Sequence, residues 1–483
     1  MSLQPPIPGP LWDTVPADAQ AALLAAFDAL RQQVHQLERR VRDLEARLKL
    51  NSTNSSKPPS SDPIGLKRKP PKPPGRRKRG GQPGHRQTTR ALVPPERLHS
   101  STDCKPDACR RCGEALQGDD HTPLIQQVAE LPRIEPIVDE YRLHRLHCPR
   151  CGVTTCATPP QGVPAGGFGP YLQAVLATWA GAYRLSKRQI RQMAGDLFGL
   201  SISTGMISKL ERRSAEALEA PYNELAAAVH SAGVIHADET SWRQERRKTW
   251  LWVAVTAMST VFTIARNRSA KVARAVLGTH DETIAVTDRC SSYDWIAGTH
   301  RQVCWSHLRR DFQAMIDRGG AAEPIGRRLL KLSDRLFRWW DRLEEGEVHR
   351  ERFGAAMGRL RREVEAALRD GTRCGCGTTS GSCAEILRVE ESLWTFARVE
   401  GVSPTNNAAE RAMRHAVIWR RISGGTDSER GSRFVERMLT TVATCRQRGL
   451  NVLDYLESCF RADREGHAIP SLLPAAEAVI KVA

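Results

Sequence analysis

Three acidic residues, far apart in the chain, stand where metal chemistry needs them. Asp238 and Asp288 each follow a short apolar run, and Glu410 lies in a helical stretch. Val234-Ile235-His236-Ala237 and Ile284-Ala285-Val286-Thr287 read as buried strands that end at the two aspartates. Residues Thr405 to Arg414 read as a helix with Pro404 at its first position and Ser403 as cap, aiming Glu410 back at the sheet. Hard divalent cations such as magnesium take oxygen ligands. Two of them, about 3.5–4 Å apart, clamp the attacking and leaving oxygens of a phosphodiester displacement. A single strand-end aspartate has a plainer reading as a turn cap or solvent-facing charge, and Glu239 and Asp294 are neighbouring competitors. The ordered set of two strand-end aspartates and one helix-borne glutamate is what points to metal-dependent phosphoryl transfer. Arg411 and Arg414 stand ready to contact phosphate.

A second set of ligands precedes the first. Cys109-Arg-Arg-Cys112 and Cys148-Pro-Arg-Cys151 are separated by 35 residues, 113–147. Each pair suits a tight knuckle offering two thiolates, and four thiolates close the tetrahedron that structural zinc prefers. The alternation of Val138, Tyr141, Leu143 and Leu146 predicts strands between the knuckles. Cys104 and Cys156 flank the pairs as competing ligands. Cys304-x-x-His307 also has ligand spacing, but a single pair without partners reads as structural; the same holds for Cys374, Cys376 and Cys383.

The acids need a scaffold. Trp250–Val255 and Val261–Ile264 predict two more strands, 270–277 a helix, Gln302–Trp305 a fifth strand, and 306–317 a helix. Three strands, a helix and further strands is the order of a ribonuclease-H-like mixed sheet, and continuous apolar runs suit a sheet covered by helices. A helical insertion at about 318–400 follows from two amphipathic patterns, Ile325 to Leu343 and Phe353 to Leu368. Trp339 lies on the apolar face of the first and reads as core. Upstream, Ser186 caps a helix to Leu197, Gly199 breaks it and Ser203 caps another, which is the helix-turn-helix layout over 166–230. Plain packing of a helical hairpin is the equal alternative.

At the N-terminus, Phe27, Leu30, Val34, Leu37, Val41, Leu44 and Leu48 form a heptad seam over 16–50, which favours a parallel dimer. Residues 51–95 are rich in Pro, Gly and Ser and carry Lys67, Arg68, Lys69, Lys72, Arg76, Arg77, Lys78, Arg79, Arg86 and Arg90. Such a segment has too little apolar surface to fold alone, and reads as a basic linker that contacts DNA phosphates. The remaining boundaries are a zinc ribbon at 96–165, a catalytic domain at 231–425 and a helical tail at 426–483.

The totals agree. A net charge of +18 over 483 residues suits a polyanion, nucleic acid before a membrane surface. No run of 18 apolar residues occurs, so no spanning helix is expected. MSLQPPIPGPLWD lacks a basic segment followed by an apolar core. Together with 13 dispersed cysteines, this predicts a cytoplasmic protein with reduced thiols.

The chain resembles transposases of the insertion sequence 66 family. The resemblance runs through the heptad helix, Asn54-Ser-Ser-Lys-Pro-Pro-Ser-Ser-Asp62, Gly80-Gly-Gln-Pro-Gly-His85, the Cys pairs, His236-Ala-Asp-Glu-Thr240, Cys304-Trp-Ser-His-Leu-Arg-Arg310 and Asn406-Asn-Ala-Ala-Glu-Arg411. It implies a DDE-type transposase whose metal-binding catalytic acids are Asp238, Asp288 and Glu410, working with magnesium or manganese on element ends and target DNA. It also implies helper proteins of the same element. The family usually has Asp-Gly-Tyr at the second acid, where this chain has Asp288-Arg289-Cys290. The rivals are a nuclease or junction resolvase on the same sheet, which cuts without joining, and an inactive DNA-binding regulator derived from a transposase.

Overall fold

The computed structural model describes residues 9–48, 50–51, 54–55, 90–161, 163, 167–279 and 282–474. After one turn, α1 (Gly9–Trp12), comes α2 (Ala17–Leu48), 32 residues long. Its heptad residues from Phe27 to Leu48 form a stripe that is exposed along its whole length. A helix packed on its own domain would bury such a stripe. The basic segment with Arg76, Arg77, Lys78 and Arg79 lies outside the described residues.

Both cysteine pairs sit on the same turn. The Cys109 N–H donates to Glu114 O at 2.8 Å and Gly113 N–H to Cys109 O at 2.9 Å; Cys148 with Val153, and Gly152 with Cys148, repeat the pattern at 2.9 and 3.0 Å. Gly113 and Gly152 adopt φ of +77° and +71°, a conformation glycine reaches without steric cost. β1 (Arg145–His147) and β2 (Thr154–Cys156) pair antiparallel around the second knuckle. Of the alternating residues expected in strands, only Leu146 lies in one. Val138, Tyr141 and Leu143 are exposed and have no second layer to bury their apolar face.

Helices α3 (Pro170–Gly181), α4 (Lys187–Phe198), α5 (Thr204–Ala217) and α6 (Glu219–His230) follow. Ser186 caps α4 in a reciprocal box with Gln189, Gly199 ends it at φ +65°, and the Ser203 hydroxyl accepts the Met206 N–H to start α5.

The sheet comprises β3 (Val234–Gln244), β4 (Arg247–Val255), β5 (Thr260–Ala265), β6 (Ile284–Thr287) and β7 (Arg301–Val303), in the order β5-β4-β3-β6-β7. α7 (Ala270–Leu277) lies between β5 and β6. β3–β4 and β4–β5 are antiparallel, whereas β6 is parallel to β3 and β7 to β6. β3 does not end at Asp238. It runs six residues further because Thr240–Gln244 pairs with Arg247–Leu251 across a two-residue turn. Glu245 and Arg246 make that turn at φ +50° and +62°, where Gly or Asn would be usual.

α8 (Trp305–Arg318) leaves β7 and leads into α9 (Ala322–Glu344), α10 (Arg350–Thr372), α11 (Gly377–Arg388) and the single turn α12 (Thr395–Arg398). One core, with Val286, Trp305, Phe312, Leu329, Phe353 and Phe396, joins β6, β7 and these inserted helices. Trp339 and Trp340 both pack against it. Trp340 meets Phe353 and Phe396 edge-on at 6.0 and 5.8 Å between ring centroids.

α13 (Asn407–Ser423), α14 (Glu429–Gln447) and α15 (Val452–Glu465) are the last elements among the described residues. They share a second core with α3–α6 and β3–β5, through Ile190, Leu225, Trp252, Phe262, Met413 and Met438. α14 runs along the outer edge of β5. Thr444 and Thr440 accept the Thr260 and Phe262 N–H groups at 3.1 and 3.0 Å, and Glu436 accepts that of Ile264. Four helical residues rise about 6 Å and two strand residues about 6.8 Å, so side chains spaced by four on α14 match alternate amides of β5.

Candidate functional site

The parallel register sets the first two acids side by side. His236 is opposite Val286, so two residues on, Asp238 comes level with Asp288, just beyond the end of β6. Alternation along β3 turns His236, Asp238 and Thr240 to the face covered by α13, and Ala237 and Glu239 to the other. Burial first, then the charges of Glu239 and Asp288, push the Asp238 carboxyl up to about 8, against a lowering by His307. Asp238 Oδ1 accepts the Glu239 N–H at 2.9 Å.

The competing acids are already engaged. Glu239 is buried and held by Arg268 at 2.5 Å and by the Tyr293 hydroxyl. Asp294 accepts from Arg301 at 3.1 Å and pairs with Arg388 at 3.2 Å. Asp288 is looser. Its Oδ1 accepts the Cys290 N–H at 2.8 Å, and Oδ2 is 3.6 Å from Arg268. Arg289 turns to an ion pair with Asp311. The buried Arg301 fixes the loop by donating to Asp288 O at 2.9 Å and Thr287 Oγ1 at 3.1 Å.

Glu410 reaches this region from the first turn of α13, where the helix dipole favours a carboxylate. The helix begins three residues later than the Pro404 reading expects. Pro404 instead lends its carbonyl to the Trp305 N–H at 2.9 Å, and Ser403 accepts from Thr405. The N-cap is Asn406, whose side chain makes no cap bond because it is used elsewhere. Its Nδ2 donates to Ala237 O at 2.6 Å, and Oδ1 faces His236 Nδ1 at 3.3 Å. Asn406 is fully buried and ties the start of α13 to β3.

His307 faces the third acid, Glu410. Its Nδ1 is 3.6 Å from Glu410 Oε1, too long for a hydrogen bond, and Arg310 is 3.7 Å from Oε2. Burial lowers the His307 pKa, but the Cys304 thiol beside it and the charge of Asp288 outweigh that and raise it to about 9. Glu410 Oε1 and His307 Nδ1 are both buried without a hydrogen-bond partner. Among the described residues, two sets of three ligand atoms each lie within 4.8 Å: Cys304, His307 and Glu410 in one, and Glu239, Asp288 and Cys290 in the other. Asp238 is in neither set, although the charges of Glu239, Asp288 and His307 act on its carboxyl, so Asp288 and Glu410 fall in separate clusters. The spacing of Cys304-x-x-His307 alone does not reveal Glu410, about a hundred residues downstream, as the third member of its set.

Cys109, Cys112, Cys148 and Cys151 are in neither ligand group. The knuckle amides of Arg111 and Cys112 lower the Cys109 thiol pKa, and those of Cys151 and Arg150 lower that of Cys148. Arg411 and Arg414 are exposed on α13. Among the described residues, no helix is long and apolar enough to cross a membrane.

Residues 165–434 match the family described as Transposase IS66 family, and residues 9–91 match a family of unknown function (DUF6444). The chain is 24% identical over 394 residues to uncharacterized protein y4hP of Sinorhizobium fredii (strain NBRC 101917 / NGR234), covering 72% of this chain and 68% of that protein. It is 28% identical over 179 residues to uncharacterized protein y4qI of the same organism, covering 35% of this chain and 33% of that one.

Proposed function

The chain belongs to the IS66 transposase family, and on that premise we propose that it cleaves and joins DNA at insertion-sequence ends, with Asp238, Asp288 and Glu410 as a DDE set for two divalent cations. The observation that carries this reading is a set of under-compensated acids. Asp238 on β3 and Asp288 just beyond the end of the parallel β6 each follow the paired His236 and Val286 by two residues, and Glu410 keeps a buried oxygen with no hydrogen-bond partner. Such a set fits a hard cation with oxygen ligands, magnesium or manganese. The sheet order β5-β4-β3-β6-β7, three antiparallel strands followed by two parallel ones, supports a ribonuclease-H-like catalytic domain.

A bound cation pair supplies Lewis acidity at the scissile phosphodiester and neutralises charge on the attacking and leaving oxygens. Asp238 and Asp288 anchor it from the sheet, and Glu410 from α13. His307 and Arg310 hold the Glu410 carboxylate in place. Arg411 and Arg414 bind the flanking phosphates. Water first breaks the P–O3′ bond at the element end, leaving a 3′ hydroxyl and a 5′ phosphate. That hydroxyl then attacks a target phosphorus and displaces the target's own 3′ oxygen, so phosphodiesters are exchanged and no nucleotide cofactor is consumed.

The remaining parts serve assembly and recognition in this reading. The exposed stripe of α2 pairs two chains as a coiled coil, bringing two element ends together. The knuckles at Cys109, Cys112, Cys148 and Cys151 close on one zinc, which the lowered thiol pKa values of Cys109 and Cys148 favour. The helical hairpin at 187–217 and the basic arm with Arg76, Arg77, Lys78 and Arg79 contact DNA, in the cytoplasm and with helper proteins of the same element. The test is a joining assay with labelled ends and magnesium. A transposase cuts and joins, a nuclease only cuts, and a regulator only shifts the band. Full joining by Asp288→Ala or Glu410→Ala would overturn the assignment.

A further inference from the structure

The acids have a basic neighbour. A cavity of about 1160 Å³ opens beside them, and it is lined both by His236, two residues before Asp238, and by Arg411, next to Glu410. Arg184, His415 and Arg446 line it as well. Arg411 and His415 are four residues apart on α13 and share a face. Arg184 follows α3, and Arg446 sits in the last turn of α14. Three separate elements therefore bring cations to one space.

Nothing there answers their charge. Among the described residues, Arg184, Arg411 and Arg446 form no ion pair with a carboxylate, although Arg433 and Arg437, also on α14, both do. The polar contact of Arg184 is another nitrogen, His415 Nδ1 at 3.4 Å, and its Nε is buried with no hydrogen-bond partner. Arg184 also holds φ at +61°, a strained conformation for a residue with a Cβ, of the kind that gathers at ligand sites. Burial and Arg446 lower the Arg184 pKa; burial, then Arg446 and Arg184, lower that of His415. Apolar residues also line the cavity, among them Val255, Leu439, Val442 and Leu473.

We propose that this cavity is a phosphate subsite for a nucleic-acid strand, in which Arg184, Arg411 and Arg446 grip the anion and the apolar lining faces the sugar. Only the choice of a nucleic acid as phosphate carrier rests on the transposase reading; the anion site rests on the unpaired arginines. It extends the phosphate contacts of Arg411 away from the acids, towards α3 and α14.

Binding of a fluorescein-labelled single-stranded oligonucleotide, followed by anisotropy in EDTA at several salt concentrations, tests this without catalysis. The expected result for Arg184→Gln/Arg446→Gln is roughly tenfold weaker binding, with a salt slope smaller by about 1–2. Arg184→Lys/Arg446→Lys should keep most of the slope. The arginines have no acid partner, so the Gln pair should melt no lower than the parent. Arg446 is exposed, so Arg446→Gln alone carries the test if the double variant misfolds. An unchanged affinity and salt slope in the Gln variants overturns the proposal. Displacement of the oligonucleotide by micromolar inorganic phosphate overturns the nucleic-acid source in favour of a free anion. Asp238→Asn, which must lose cleavage if the acids are as proposed, should bind the oligonucleotide as the parent does, so failure of one reading leaves the other readable.

Discussion

Replacing Asn406 by alanine tests the tie that sets Glu410 against the sheet. Alanine keeps the backbone bonds of this residue, including the Glu410 N–H to Asn406 O at 3.1 Å. It removes the side-chain bond to Ala237 O at 2.6 Å and the contact with His236 Nδ1 at 3.3 Å. Ala237 is buried, and His236 is largely so. Each orphaned group costs about 1–3 kcal/mol, so the loss is roughly 2–6 kcal/mol. At about 2–4 °C per kcal/mol, the melting temperature should fall by roughly 4–24 °C. The effect on chemistry is separate. With the tie gone, α13 is free to shift at its N-terminus, and a displacement of about 1 Å at a reacting group costs on the order of 10²-fold in rate. Calorimetry and a joining assay, run below the new melting temperature, measure the two effects. Joining within twofold of the parent, in a variant that does melt lower, would show that Asn406 stabilises the fold without positioning Glu410, and would refute the reasoning.

Three further outcomes follow from the same structure. Asp238→Asn, Asp288→Ala and Glu410→Ala should each lower cleavage and joining by at least about 10³-fold while leaving DNA band shifts intact, and removal of divalent metal by EDTA should do the same to the parent. Elemental analysis should find one zinc per chain, and Cys109→Ser should bring it close to zero with the sheet still folded by circular dichroism; a zinc-free parent that is fully folded would sink the ribbon. Val34→Glu/Leu37→Glu on α2 should convert a dimer to a monomer in sedimentation; an unchanged mass would show that the exposed stripe is not the contact.

Much of the local architecture was legible in residue order. Helix α7 and strand β6 have the bounds their apolar patterns predict, and Ser186, Gly199 and Ser203 end and start their helices as caps should. The extension of β3 was hidden because Glu245-Arg246 carries no turn signal; pairing with β4 imposes the left-handed backbone on two residues that do not ask for it. The start of α13 was misjudged for a related reason. Pro404 and Ser403 look like a helix entrance, but Asn406 is drawn into the sheet and the helix waits for Asn407. His307 beside Glu410, and Arg268 with Tyr293 on Glu239, are contacts between distant segments. No local period or spacing encodes them, so the neighbours of the acids could be read only from the folded chain.

The ladder between α14 and β5 has a consequence for the border of the sheet. An open strand border invites any extended segment to dock on it. Here the inviting amides of Thr260, Phe262 and Ile264 already face Thr444, Thr440 and Glu436. A helix stands in as a counterfeit neighbouring strand, complete in its spacing yet unable to template another. Sheet-to-sheet growth from this edge is thereby closed off.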